Sequence, residues 1–258
     1  MRGRRRRGFD VRIYWLGERY DEITSVIGDV VAEVTSAVWE GISEAVKATT
    51  GFWKRGRVKV ESQVEVEEPV VLLVEAGASN VRVRESPPGR VKISGFKVET
   101  GEVKLMLEEY EGKRLARLIA EAADIEVEAP MKAVGIVADA SNVRVEARAR
   151  PLEYLSIKSD ASGIKVEAPL LPGGGVYASL DVSSAKVYVT PVEEGEYWVD
   201  LEADASSFRA EFEGDKVYEV EEENLRRTRL LVERRAEGEP RVRVKVRVKA
   251  DTSTIRLL

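Results

Sequence analysis

Aspartate and serine recur at regular spacing in this chain, and side-chain oxygens, those of carboxylates above all, are ligands for hard metal ions. The phrase Asp-Ala-Ser or a close variant begins at positions 139, 160, 181, 204 and 251, at steps of 21, 21, 23 and 47 residues. A stack of carboxylates could hold a hard cation such as Ca²⁺. The glycine-rich repeat of calcium-binding β-rolls is absent, however, and Asp and Ser at tight turns commonly bind backbone N–H groups. We therefore predict no metal site and a capping role for ten corner residues. These are Asp139, Ser141, Asp160, Ser162, Asp181, Ser183, Asp204, Ser206, Asp251 and Ser253.

Groups suited to catalysis are few. The chain has no His and no Cys, which removes the usual general base at neutral pH and every thiolate metal ligand. Its 46 Asp and Glu residues show no concentrated constellation, and Trp15, Trp39, Trp53 and Trp198 do not recur in phase with the repeat. A carbohydrate-active enzyme, which needs two differentiated carboxylates, is therefore the third and least favoured function. We predict no catalytic residue and no cofactor.

The first eight residues form a basic arm. Arg2, Arg4, Arg5, Arg6 and Arg7 could contact the phosphates of lipid or nucleic acid. The whole chain is acidic, with a net charge of −5 and a pI near 5.3, which opposes nonspecific binding to nucleic acid. We expect a solvated tail, with peripheral membrane contact as the alternative.

An amphipathic segment follows a short predicted strand at 9–16. Between Glu18 and Thr50, apolar and polar residues occupy opposite faces of a 3.6-residue period, and Gly51 would end the helix. The polar face is acidic and would be repelled by anionic lipid, so we expect the apolar stripe to pack on protein. The predicted packing face is Ile23, Ile27, Val30, Val34, Val38, Ile42 and Ala45. We place the arm, strand and helix in one region, 1–57, and the repeats in a second, 58–258.

From Arg57 onward apolar residues alternate with polar ones, which is typical of half-buried β-strands. Short strands, small-residue corners and a period near 21 residues predict an all-β fold, a single-stranded β-solenoid (β-helix) of stacked coils. The segment from Val103 to Ala122 predicts paired strands across a turn at Gly112. For 219–235 helix and strand both remain open, although the 47-residue step suits a strand near Leu230.

The corner phrase with its alternating strands resembles a β-strand-repeat family of unknown function called the "putative adhesin" domain, over about Val58 to Leu258. It resembles the bactofilin filament proteins more weakly. The resemblance implies a β-solenoid with a structural, adhesive or envelope-associated role. It provides no catalytic residues.

Pattern and composition together predict a non-enzymatic structural or interaction scaffold, adhesin-like and able to self-assemble. The alternative is an adhesin-like module at a membrane surface or cell envelope.

Hydrophobic residues make up 43% of the chain and charged residues 34%, and the scarcity of Asn and Gln is typical of thermophile proteins. The expected partner is a second copy or another protein, through the helix or the solenoid ends, with no small-molecule substrate. No secretion signal or apolar run of membrane-spanning length is recognised, so we expect a cytoplasmic protein, with membrane association as the alternative.

Overall fold

The computed structural model describes residues 56–110, 113–232 and 242–258. The described residues all belong to one compact unit, Gly51–Leu258. Their regular elements are all strands, and no helix among them could span a membrane. The strands are β1 (Arg57–Val66), β2 (Val70–Gly77), β3 (Asn80–Glu85), β4 (Gly89–Val98), β5 (Val103–Tyr110), β6 (Lys113–Glu121), β7 (Ala123–Ala129), β8 (Met131–Asp139), β9 (Asn142–Glu146), β10 (Leu152–Asp160), β11 (Gly163–Asp181), β12 (Ser184–Pro191), β13 (Gly195–Asp204), β14 (Ser207–Phe212), β15 (Lys216–Arg226), β16 (Arg229–Val232), β17 (Val242–Asp251) and β18 (Thr254–Leu257).

Most strands pair in parallel and form two ladders, one on each side of the corners. The first ladder runs β6-β2-β8-β10-β11-β13-β17-β15. The second runs β7-β3-β9-β11-β12-β14-β18-β16. The 19-residue β11 belongs to both, because its first half pairs with β9 and β12 and its second half with β10 and β13. The described strands therefore form one nearly closed, barrel-like sheet.

The inward side chains of both ladders fill one hydrophobic core. Successive residues of a strand point to opposite faces, so in-register pairing lines up equivalent apolar positions on neighbouring strands. Two inward rows illustrate this, and no member is more than 1% exposed. The row on the first ladder consists of Val74, Leu118, Ile136, Ile157, Ala178, Leu201 and Val248. The row on the second ladder consists of Val83, Val127, Val145, Val166, Val187, Ala210 and Leu257.

The prediction of a single-stranded β-solenoid is wrong. Each repeat contributes two strands, one on either side of its corner, and all of them join a single sheet. At one end the chain doubles back, since β4 pairs antiparallel with β1 and β7, and β5 pairs antiparallel with β6. Strand order in the sheet also departs from chain order, because β2 lies between β6 and β8, and β17 lies between β13 and β15. Regular spacing locates the corners, but it does not determine which strands become neighbours.

Some predictions for single segments of the chain are confirmed, and others fall outside the described residues. The paired strands expected between Val103 and Ala122 are confirmed as β5 and β6. Where the segment 219–235 is described, it belongs to β15 and β16 except for the corner at Arg227 and Thr228, and β16 covers the strand expected near Leu230. The strand at 9–16, the amphipathic helix and the basic arm lie outside the described residues.

Each corner turns through one residue with a left-handed backbone. The φ angle is 45° at Ala140, 48° at Ala161 and Val182, and 51° at Thr252. This region costs an L-residue about 1–2 kcal/mol, and it is least suited to β-branched side chains. Val182 is β-branched and also 62% exposed, so little packing compensates for the strain at this corner.

We expect Val182→Gly to raise the free energy of unfolding by about 1 kcal/mol, because glycine adopts the left-handed region without a Cβ clash. Denaturant unfolding of the two proteins measures the difference. Ala161→Gly at the equivalent corner is the matched comparison and should give a smaller gain. A loss of stability in Val182→Gly would show that the valine side chain contributes contacts that outweigh its backbone strain.

Candidate functional site

The corner aspartates stack on adjacent strands. In-register pairing places Asp160 between Asp139 and Asp181, and the row continues through Asp204 to Asp251. We call these five residues the aspartate column. At the usual strand spacing of about 4.8 Å, it forms a line of carboxylates along the corners between the two ladders.

A buried row of hydroxyls, the serine column, lies two residues further along each corner. Ser183 shows the arrangement: its hydroxyl donates to the Asp181 carbonyl at 2.7 Å and accepts the Ser162 N–H at 3.1 Å. Its own N–H donates to the Ser206 hydroxyl at 3.0 Å. The same link repeats from corner to corner, so the hydroxyls satisfy backbone donors that strand pairing leaves free. The members, none more than 6% exposed, are Ser79, Ser141, Ser162, Ser183, Ser206 and Ser253.

The carboxylates of the aspartate column repel one another. Burial, and then the neighbouring charges of Asp160 and Asp204, raises the pKa of Asp181 above its ordinary value, although the Val182 N–H lowers it in part. Burial and Asp160 likewise raise the pKa of Asp139. A raised carboxyl pKa in the folded state means that ionisation opposes folding. The cost is complete above the folded-state pKa and vanishes as pH falls below the unfolded value of about 3.9.

Asp181→Asn should therefore stabilise the protein at pH 7. We expect a gain of about 0.5 kcal/mol, in the range for like charges on facing strands, and a smaller gain at pH 4, where wild-type Asp181 is partly protonated. Thermal unfolding of both proteins at the two pH values provides the measurement. Asp215→Asn, at an exposed aspartate outside the column, is the control and should change little. A gain that does not depend on pH would show that charge repulsion is not the cause.

A row of cations, the basic column, crosses the outer face of the second ladder. Each of six consecutive strands, β3, β9, β11, β12, β14 and β18, contributes one cation in register with the next. At about 4.8 Å per strand the row extends for about 24 Å. The flanking residues along each strand, such as Val143 and Val145, are buried, so the cations point to solvent. The members, all exposed or half-buried, are Arg82, Arg144, Lys165, Lys186, Arg209 and Arg256.

Glutamates on one side of the basic column neutralise half of it. The ion pairs are Arg144–Glu146 at 2.6 Å, Lys165–Glu167, and Arg209–Glu211 at 2.7 Å. Arg82, Lys186 and Arg256 form no ion pair with another described residue. On the other side runs a polar row of small or hydrogen-bonding residues. It comprises Asn80, Asn142, Gly163, Ser184, Ser207 and Thr254.

The first ladder arranges its outward charges differently. Acidic β13, basic β17 and acidic β15 alternate in sign, and opposite charges on facing strands are stabilising. This alternation favours the position of β17 between two strands that precede it in the chain. The pairs between β13 and β17 are Glu196–Lys245 at 2.8 Å, Asp200–Arg247, and Glu202–Lys249 at 2.7 Å.

Glu75 is a carboxylate buried within β2, a strand whose residues are buried on both faces. The Glu75 side chain is 4% exposed, and the side chain of its partner Arg117 is 21% exposed. Arg117 Nε donates to Oε1 at 2.5 Å and Nη2 donates to Oε2 at 3.2 Å. Burial raises the pKa of Glu75, and the hydrogen bond and charge of Arg117 lower it in part. This bidentate contact joins β2 to β6.

An open, acidic cleft of about 620 Å³ lies where β12 and β14 end and β15 begins. Glu211, Glu213 and Asp215 line it, together with Lys216, which donates to the Phe212 carbonyl. In the described part of the chain, no group of three or more carboxylates is placed to hold a metal ion. We therefore assign no ligand to this cleft.

The basic column and the Glu75–Arg117 pair were not predicted, although the sequence carries a signal for each. A cation stands five residues after the start of each corner phrase, as Lys186 follows Asp181. Glu75 and Arg117 each interrupt an apolar run. Other predicted site residues lie outside the described residues. These are Arg2, Arg4, Arg5, Arg6 and Arg7 of the arm, and Ile23, Ile27, Val30, Val34, Val38, Ile42 and Ala45 of the helix.

Comparison with known proteins gives distant structural likenesses alone. No family model and no curated protein sequence matches the chain. A "putative cell adhesion protein" from Clostridium sporogenes is similar in structure, at 9% identity and a TM-score of 0.38, over 78% of this chain and 99% of the other. A "putative adhesin" from Bacteroides fragilis is similar at 12% identity and a TM-score of 0.34, over 78% and 97%. A "Putative lipid binding protein" from Parabacteroides distasonis is similar at 9% identity and a TM-score of 0.27, over 78% and 96%. We draw no function from likenesses at these scores.

Proposed function

We propose that this protein is a non-enzymatic, adhesin-like binding scaffold that presents rows of like side chains to an extended ligand. The observation that carries the proposal is the basic column, in which side chains of one chemical kind lie in register on six consecutive strands. A ligand with a repeating unit can contact such a row at many equivalent points. Several weak contacts on one chain then add to a useful affinity.

The buried parts of the sheet support this proposal because they fix the geometry of the outer face. The serine column ties successive corners together through hydrogen bonds of about 3 Å. The inward rows pack into one core. A surface held in this way does not have to be ordered when the ligand binds, which lowers the entropic cost of association.

Binding of soluble polymers to the full chain tests the proposal. Biolayer interferometry with a panel of neutral and acidic polysaccharides should show affinity that increases with polymer length. A reducing-end assay on the same samples should show that the polymers remain intact. Release of reducing ends, or equal affinity for a monomer and its polymer, would contradict a binding scaffold.

The strands at one end of the sheet offer an edge through which two copies could pair, and the charge on that edge opposes the pairing. Within the described ranges, β15 pairs with β17 alone and β16 with β18 alone, so each presents an unpaired edge. Exposed Glu221, Glu222 and Glu223 place like charges on β15, which opposes pairing between copies. We expect a monomer for the wild type and association for Glu221→Gln/Glu222→Gln/Glu223→Gln, measured by size-exclusion chromatography with light scattering. A variant that stays monomeric would count against this edge as an assembly surface.

A further inference from the structure

We propose that the basic column is a binding site for a linear acidic polysaccharide. This inference rests on the proposed binding function and names its ligand class. The six cations form a single file about 24 Å long, with one positive charge per strand. The matching ligand is an extended chain that carries one negative group on each repeating unit.

Stacking six like charges does not stabilise the fold. Like charges that face one another on neighbouring strands destabilise the pairing of those strands. The same sheet avoids this arrangement on β13, β17 and β15, where the outward charges alternate in sign. Departures from locally stabilising patterns concentrate at functional sites, and the basic column is such a departure.

Half of the column is available to a ligand without breaking an ion pair. Arg82, Lys186 and Arg256 form no ion pair with another described residue. They occupy the two ends and an interior position of the row, so a chain that contacts all three must follow its length. The glutamates that pair with the other three cations all lie on one side, which leaves the opposite side open for approach.

The row on that open side has the chemistry that recognises sugar hydroxyls. Asn80, Asn142, Ser184, Ser207 and Thr254 are exposed or half-buried, and their amides and hydroxyls can donate and accept hydrogen bonds. Gly163 interrupts the row without a side chain. A polysaccharide lying over both rows would place carboxylates on the cations and hydroxyls on these short polar groups.

Other polyanions fit the surface less well. Single-stranded nucleic acid is held by aromatic stacking together with a basic groove, and among the outward side chains that these six strands contribute to the second ladder only Tyr188 is aromatic. Its ring is already flanked by Lys165 and Arg209, whose charged groups lie 5.3 Å and 5.8 Å from the ring centroid. A duplex or an anionic membrane is wider than the row and would also cover the glutamates beside it.

Binding of polygalacturonate, which carries one carboxylate per sugar, tests the inference on the full chain. The variant Arg82→Gln/Lys186→Gln/Arg256→Gln removes the three unpaired cations and leaves every described ion pair intact. We expect at least a tenfold weaker affinity, and a wild-type affinity that falls as salt increases. We also expect affinity to increase with oligomer length until the chain spans six strands. The matched control is Arg57→Gln/Arg226→Gln/Arg227→Gln, which removes three exposed cations outside the column that likewise form no ion pair with another described residue, and it should bind like the wild type.

The outcomes separate this inference from the proposed function. Equal losses in the two triple variants would overturn the basic column as the site, as would no loss in either or no binding of polygalacturonate at all. Tighter binding to poly(dT) or to phosphatidylserine vesicles than to polygalacturonate would overturn the ligand class. If neutral polysaccharides bind in a length-dependent way and the variants do not differ, the scaffold function stands and this inference fails. If polymers are cleaved, the proposed function itself fails.

Discussion

Arg117→Met is expected to lower the free energy of unfolding by about 3–5 kcal/mol at pH 7, the range found when one partner of a buried ion pair is removed. The substitution keeps an apolar stem of similar length but leaves the Glu75 carboxylate with neither of its two Arg117 hydrogen bonds. Glu75 is 4% exposed, so water cannot replace them. Denaturant unfolding of the wild type and the variant measures the loss.

The dependence on pH identifies the cause of this loss. Burial already raises the pKa of Glu75, and removal of Arg117 raises it further, so the cost of ionisation applies above that pKa and is relieved as pH falls through it. The variant should therefore recover part of its deficit near pH 4.5. Adding Glu75→Gln should restore most of the stability at pH 7.

Arg114→Met on the same strand is the matched control. The Arg114 side chain is 46% exposed and lies 3.8 Å from Glu67, which is 87% exposed. Exposed pairs of this kind contribute less than about 1 kcal/mol, so the change should be small and independent of pH. An Arg117→Met deficit that stays constant with pH and is not rescued by Glu75→Gln would point to lost packing of the arginine stem.

Much of the local structure could be predicted from the sequence because it depends on local physical constraints. Alternation of apolar and polar residues from Arg57 onward indicates strands, and the strands follow it. The Asp-Ala-Ser phrase indicates sharp corners. Ala140 and Ala161, at the centre of two of them, adopt a left-handed backbone, which a β-branched residue tolerates less well than alanine.

The order of strands could not be predicted in the same way, because it depends on contacts between distant segments. The 47-residue step from Asp204 to Asp251 suits two successive coils, whereas β13 and β17, which end at those residues, are direct neighbours. Opposite charges favour this pairing, since acidic β13 and acidic β15 both form ion pairs with the basic β17 between them. The solenoid prediction treated neighbours in the chain as neighbours in the sheet and so missed this arrangement.

The sequence also contains part of the information that defines the basic column. Arg144 and Lys165 each stand five residues after a corner aspartate, so a cation in phase with the repeat could be read from the sequence. Its significance depends on register, since a shift of one residue would turn these side chains into the core. The pairing of Arg144 with Lys165 fixes that register and turns a sequence regularity into a row of charge.

Ser183→Ala is expected to lower the free energy of unfolding by about 2 kcal/mol, even though it removes a single oxygen. Ser183 is 5% exposed, and its hydroxyl accepts the backbone N–H of Ser162 at 3.1 Å. Without that acceptor the N–H remains buried and unpaired, which costs about 1–3 kcal/mol. The Asp181 carbonyl loses a donor at the same time. Denaturant unfolding gives the size of the effect.

The location of the damage distinguishes a hydrogen-bond role from a general loss of packing. Because the serine column links one corner to the next, amide hydrogen exchange should accelerate most at Ser162, whose acceptor is removed, and less at corners further along the row. Ser184→Ala, at the adjacent exposed hydroxyl, should change stability by less than about 0.5 kcal/mol. Thr228→Ala, at the half-buried end of the row where the Ser253 N–H lies 3.4 Å from the hydroxyl, should have an effect between those of the two serine variants. If Ser183→Ala and Ser184→Ala have equal effects, the buried hydroxyls do not hold the corners together, and the rigidity on which the binding surface depends must have another origin.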